Sequence, residues 1–255
     1  MSWAAERRTL ILAIVGVVIL AIASFFAYQF FHQAPSCTDG KQNQEEEGID
    51  CGGTCTYLCA AKLVAPSVSF ARELPQNGGR TDVIAYIKNP NPSAAAKGVA
   101  YTVELYNAER AVVATKKGTV DLAPALETPV YIPNFNSGNQ EVDRVFISID
   151  NTLYRWFRFT EEPKVPTVAS PQVSGTEAAP RVTAVVTNPF PTALKNIKLV
   201  ATVFDGEGNA IAASQTVVPT LIPQGRADAV FTWNAPFPGI VSRIDVKPIV
   251  PLPAP

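Results

Sequence analysis

Four cysteines, Cys37, Cys51, Cys55 and Cys59, are all the chain contains, and they fall within 23 residues. Thiols at that density can hold zinc, cycle a redox disulfide, or staple the backbone. Their C-x13-C-x3-C-x3-C spacing lacks the C-x2-C hairpins of structural zinc sites and contains no redox C-x-x-C. An even count in a short polar stretch outside the cytosol predicts two disulfides, and spacing alone leaves three pairings open. Interleaved with them are Asp39, Asn43, Glu45, Glu46, Glu47 and Asp50. These are hard oxygen donors of the kind Ca²⁺ takes, with Gly40 and Gly48 allowing tight turns. The spacing departs from the EF-hand pattern, so the favoured reading is a solvated acidic turn, with calcium as its alternative and no firm metal site.

Elsewhere the residue types for catalysis do not converge. The single histidine, His32, abuts an apolar run, and neither G-x-S-x-G, H-E-x-x-H nor a P-loop occurs. Asp82 and Asp121 stand alone. No catalytic residues are assigned, and a non-enzyme is expected. Leu153 to Phe159, LYRWFRF, is different in kind. On a strand, Tyr154, Trp156 and Arg158 would share one face, the residue types of binding hot spots. The competing expectation is that Tyr154 and Trp156 pack against the second module or the cysteine segment.

The elements that must position these groups begin with Thr9 to Phe31, 23 residues without a charge. As a helix they would span roughly 34 Å, enough for a hydrocarbon core of about 30 Å. Arg7 and Arg8 precede the run and no Lys or Arg follows before Lys41, so residues 1–8 are expected in the cytoplasm and the rest outside. Phe25, Phe26, Tyr28, Phe30 and Phe31 would sit at the outer interface. Ala21-Ile22-Ala23 also has the form of a signal cleavage site, but cutting there would leave the greasy SFFAYQFF as a new terminus.

The chain has 21 Lys+Arg against 22 Asp+Glu, a balance that argues against a nucleic-acid partner. It also repeats itself. DVIAYIKNPNPSA from Asp82 aligns with RVTAVVTNPFPTA from Arg181 at a spacing of 99, and GVAYTVELYNAE from Gly98 with NIKLVATVFDGE from Asn196 at 98. Ala123-Pro124 answers Ile222-Pro223, and VDRVFI from Val142 answers VSRIDV from Val241. Within each copy, β-branched and aromatic residues alternate with polar ones, and Asn-Pro-x-Pro stops a strand. The fold class expected is all-β, two tandem immunoglobulin- or fibronectin III-like sandwiches over 64–161 and 165–250. An anchor at 9–31, a cysteine-rich linker at 32–62 and a Pro-rich tail at 251–255 complete the chain. The cores would use Val83, Ala85, Ile87, Val103, Leu105, Ile132 and Val145, then Val182, Ala184, Val186, Val203, Phe231 and Ile244.

The succession of strand, NPNP or NPFP, a strand ending in YNAE or FDGE, and a run closing in AP or IP resembles the late-embryogenesis-abundant water-stress domain. It is similar, too, to related bacterial domains of membrane-anchored proteins with a seven-stranded sandwich. That resemblance implies a non-catalytic domain and carries over no functional residues. The segment SCTDGKQNQEEEGIDCGGTCTYLC resembles a Cys-x-Asp-Gly…Asp-Cys-Gly-Gly-x-Cys segment of bacterial surface proteins. Cys37, Asp39, Gly40, Asn43, Gly48, Asp50, Cys51, Gly52, Gly53 and Cys55 match it, Glu46 takes its acidic position, and the last cysteine, Cys59, comes late. The implied role is a surface linker. Together these readings predict a single-pass extracytoplasmic protein for surface display, adhesion or an envelope complex, bound to the bilayer through residues 9–31 and to a protein partner in the envelope. The absence of a usable N-x-[ST] sequon fits a prokaryotic surface. The alternative is a glycan- or peptide-binding module using the Tyr154/Trp156/Arg158 face.

Overall fold

The structure is a computed structural model that describes residues 3–31, 36–43, 45–76, 79–138, 140–152 and 154–253. His32, Gly78, Leu153 and the last two tail residues lie outside them, as do the side chains of Phe30 and Phe31. The chain divides into two compact units, through Cys55 and from Thr56 onward.

In the first unit, α1 (Trp3–Phe31) is one uninterrupted helix. Leu10, Leu12, Val15, Val17, Ile19 and Leu20 are exposed on successive positions around it, so it has no polar face to turn to water. Such a helix is either enclosed by protein or meant for lipid. Arg7–Gln29 is long and apolar enough to cross a membrane, a property a signal sequence shares. From Ser36 to Cys55 the described residues form neither helix nor strand beyond a Gly48–Cys51 bridge.

The second unit starts inside the stretch expected to be linker. Tyr57 bridges Phe157, the Leu58 amide donates to the Trp156 carbonyl at 2.9 Å, and a 3-10 turn spans Ala60–Lys62. Beyond it the unit is all-β and antiparallel. β1 (Ser67–Gln76), β2 (Arg80–Lys88) and β5 (Glu127–Asn136) form a sheet in the order β1-β2-β5. β3 (Ala94–Tyr106), β4 (Val112–Leu122) and β6 (Arg144–Ile149) form another in the order β4-β3-β6, and β7 (Trp156–Arg158) pairs with the start of β3.

The second half repeats this plan. β8 (Thr167–Ser174), β9 (Arg181–Thr187) and β12 (Arg226–Thr232) run in the order β12-β9-β8. β10 (Leu194–Phe204), β11 (Ala210–Leu221) and β13 (Arg243–Ile249) run in the order β11-β10-β13.

The correspondence reaches single hydrogen bonds. Asn89 and Asn188, the first residues of the two Asn-Pro-x-Pro motifs, are both fully buried. Nδ2 of Asn89 donates to the carbonyls of Ala94 and Ala123, while Nδ2 of Asn188 donates to those of Thr192, Leu221 and Ile222. Each Oδ1 accepts an amide two residues on, from Asn91 or Phe190. Proline ends the ladder, and the buried amide satisfies the carbonyls that the ladder would have used. Ala125 and Gln224, 99 apart, both adopt φ near +52°, as do Gly98 and Asn196 at +62° and +52°.

Among the described residues, three apolar layers hold the four sheets, beside a smaller cluster around Phe157. One lies inside the first sandwich around Val83, Val103, Leu105 and Trp156, and a second lies inside the other around Val182, Leu199 and Phe231. The residues expected in these cores are buried, except that Val145 and Ile244 are only half-buried. The third layer was not foreseen. Leu74, Ile84 and Tyr86 of the first copy pack on Val200, Phe204, Ala210 and Ala213 of the second. β2 is consequently buried on both faces from Thr81 to Ile87, and β10 from Leu199 to Phe204. This corrects the expected alternation in KLVATVF: a strand covered on both sides reads as a continuous apolar run. Tyr86 donates to Oγ1 of Thr202 across the layer at 2.8 Å, and burial pushes its phenol up to about 12. Lys247 pairs with Glu127 over the same seam and lies 4.4 Å from the Tyr86 ring.

Candidate functional site

Three places could carry function: the cysteine loop, the LYRWFRF strand, and a cleft between the two β-repeats.

All four cysteines are oxidised, with Cys37 bonded to Cys55 and Cys51 to Cys59. Inside the loop, nearly every matched motif position has a local task. Asp39 accepts the amides of Ser36 and Lys41 and the side-chain amide of Asn43 at 2.7 Å. The bond from Asn43 is the main reason its carboxyl sits below the usual range. Asp50 accepts the Gly40 amide, and Glu46, the buried acid, accepts the amide of Asn43. Gly52 and Gly53 both have positive φ, and a Cβ on Gly53 would stand 1.8 Å from the Glu45 carbonyl oxygen. A segment with no apolar interior is thus closed by carboxylate–amide bonds and disulfides.

Calcium was the alternative reading of this turn, and of its donors Asn43 is bonded to both Asp39 and Glu46. Among the described residues, no three of the carboxylates of Asp39, Glu45, Glu46, Glu47 and Asp50 approach within 4.8 Å of one another. Cys37, Glu46 and Cys55 do, but sulfurs joined in a disulfide offer no thiolate.

The Tyr154/Trp156/Arg158 face requires correction. Trp156 is 3% exposed and belongs to the first core; Tyr154 is half-buried against it, ring edge to ring face at 5.4 Å. Phe157 points the other way, into a cluster with Ala95, Ala123, Val250 and Leu252. Of the three, only Arg158 is fully exposed. The large indole gains more from filling the open end of the sandwich beside Ala94–Ala96 than from facing water.

The cleft is the feature sequence reasoning missed. It encloses about 570 Å³ between the β1–β2 end of the first copy and the β12–β13 loop of the second. Trp233 and Phe237 stand on that loop, edge to face at 5.0 Å. The indole N–H is spent on the Ala213 carbonyl at 3.1 Å, which fixes the ring. Opposite, Asp82 is buried and accepts the Tyr131 hydroxyl and the Asn134 amide, both at 2.7 Å. Burial, then the hydrogen bond to Asp82 and its charge, drive the Tyr131 phenol above its ordinary value, so that it stays a donor. Arg80 and Gln76 are exposed on the rim. The available signal was the uncharged, Pro-punctuated WNAPFPGIVS, whose counterpart in the first copy is the more polar NFNSGNQEVD.

No protein-family model matches the sequence, and neither does any curated protein. Among solved structures, red sea bream transglutaminase aligns with 75% of this chain and 30% of its own, at 17% identity and a TM-score of 0.25. A β-glucuronidase of glycoside hydrolase family 2 aligns with 66% of this chain and 22% of its own, at 12% identity and a TM-score of 0.22. The chain spans less than a third of the length of either protein.

Proposed function

We propose that this chain is a non-catalytic, extracytoplasmic interaction protein, held in the membrane by residues 9–31 with residues 1–8 in the cytoplasm. It presents its β-repeats as a rigid unit for assembly with a protein of the cell envelope. The observation that carries the reading is an all-round apolar helix followed in sequence by a segment, Cys37 to Cys59, whose four cysteines are all in disulfides. Disulfides persist in oxidising compartments, and Arg7 and Arg8 ahead of the helix favour retention of the N-terminus inside. The fully satisfied hydrogen bonding of Asn89 and Asn188 and the shared apolar layer suit a scaffold that holds its shape.

Protease applied to intact cells should remove residues beyond the loop while an N-terminal tag stays with the membrane. Mild crosslinking should then trap the ectodomain with a stoichiometric protein partner. Recovery of the β-repeats only after lysis, or a mature N-terminus at Ser24, would overturn the anchored topology.

A further inference from the structure

We propose that the cleft between the two β-repeats binds a neutral saccharide, with Trp233 and Phe237 as its platform and Asp82 and Arg80 as its polar contacts. The proposal goes beyond the anchoring role and does not depend on it, because binding in solution is indifferent to topology.

Four observations converge. The volume, about 570 Å³, lies within the range of roughly 300–1,000 Å³ typical of small-ligand clefts. Two aromatic rings, half-buried and locked by the Trp233 N–H bond to Ala213, offer apolar surface at little further entropic cost. Asp82 presents a carboxylate held by two donors, and each of its oxygens retains a second lone-pair direction for a ligand hydroxyl. Arg80 sets one positive charge on the rim against that carboxylate, and the rest of the lining is uncharged, with amides from Gln76, Asn134 and Asn234 among prolines and alanines. A neutral polyhydroxylated ligand matches a cleft with rings, one charge of each sign and amides. A phosphate or uronate would meet the Asp82 carboxylate as a like charge.

The contrast with peptide recognition is also physical. Grooves for extended Pro-rich peptides offer free side-chain donors between aromatic ridges, and here the indole donor is already used. Strand addition needs backbone donors along an edge, and Pro236 and Pro238 remove two of them from this wall.

The test uses the full chain in a sugar-free detergent, titrated calorimetrically and by ligand-observed NMR with cellohexaose, mannohexaose and N-acetylchitohexaose. A decaproline peptide serves as the rival ligand. At least one hexasaccharide should bind saturably. Phe237→Ala should weaken it about tenfold, the equivalent of one aromatic contact. Arg80→Gln should weaken it severalfold, and Arg158→Gln, away from the cleft, should leave it unchanged. Circular dichroism of each variant establishes that it is folded, and if Phe237→Ala is not, Arg80→Gln decides alone. Absence of saturation with all three saccharides at millimolar concentration, binding that is indifferent to the cleft variants, or preference for decaproline would each overturn the proposal.

Discussion

The two β-repeats share strand order, register, buried asparagines and left-handed turn positions, yet they differ at both ends. The first is closed at one end by Trp156 and the Thr56–Lys62 segment, which bridges to β7. The second has no such plug and instead carries the Trp233–Phe237 loop at the opposite end of its strands. Duplication kept what the backbone needs and varied what faces outward. It also created a surface that neither copy owns, since the layer of Leu74, Ile84, Tyr86, Val200 and Phe204 exists only where the copies meet.

The comparison breaks most visibly at that shared layer. Phe204→Ala should destabilise the β-unit by about 3–5 kcal/mol, the usual cost of deleting a buried aromatic ring. Hydrogen exchange should show protection falling in both copies together, although the residue belongs to one. Trp156→Ala should cost a similar amount, with the first effect seen in β3 and β7 of the first copy. If Phe204→Ala loosens only the second copy, the shared layer does not couple them.

Much of this was legible before the structure. The spacing of 99 placed Asn89 over Asn188 and Ala123 over Ile222, and each pair makes the same bond. Val83, Ala85 and Ile87 were readable as core from period two. Ile84 and Tyr86 were not, since nothing in one strand's sequence says that a second sandwich will cover its outer face; the continuous run DVIAYI was the only trace. The same blindness put Trp156 on a binding face, because alternation assigns sides but not which side is inside. The cleft is made by residues more than 100 positions apart, so its pairing of Asp82 with Trp233 had no local signature. The acidic loop showed its donors plainly, whereas their engagement by backbone amides depends on turns set by Gly52 and Gly53.

Asn89→Ala and Asn188→Ala sharpen the likeness. Each should cost about 2–3 kcal/mol, because buried carbonyls lose their donors and no water can replace them. The losses should agree within a fraction of a kcal/mol if the two asparagines do the same work. Asn89 also accepts from Nδ2 of Asn91, which in turn donates to the Val64 carbonyl, so any inequality should fall on the first copy. Equilibrium denaturation of the two variants measures the difference.

A smaller effect comes from charge. Position 127 holds Glu in the first copy and 226, its equivalent, holds Arg. Burial alone would raise the Glu127 carboxyl, but hydrogen bonds from Lys247 and Ser69 outweigh it and hold the group below its ordinary 4.5. A carboxyl depressed in the folded state stabilises fully above pH 4.5, and that contribution is lost as pH falls through the lower folded value. Glu127→Gln should therefore cost up to about 1 kcal/mol at neutral pH, a partly exposed ion pair being screened by water, and nothing in strong acid. A difference that persists undiminished below pH 3 would assign the effect to packing instead.

The smallest effect on the β-unit should follow reduction of the disulfides. Both bonds lie at or before Cys59, and neither repeat contains a cysteine, so nothing covalent is removed from the four sheets. The loop is another matter. Ser36 to Cys55 has no apolar interior, and its sequence sets five acids, Asp39, Glu45, Glu46, Glu47 and Asp50, against one base, Lys41, so like charges within the segment oppose closure once the bonds open. Closing a chain segment of this length contributes about 3 kcal/mol in the entropic account, more than a few surface hydrogen bonds restore. After mild reduction, protease should cut within residues 37–59 while the melting of the sheets stays put. Any change in the repeats should be confined to the first, through Tyr57 and Leu58, whose bridge to Phe157 and bond to Trp156 begin directly beyond the loop. Hydrogen exchange at β7, compared with β8 to β13, reads that difference. Equal loss of protection in both copies would mean that the disulfides support the sheets themselves, and the loop would then be part of the scaffold rather than its tether.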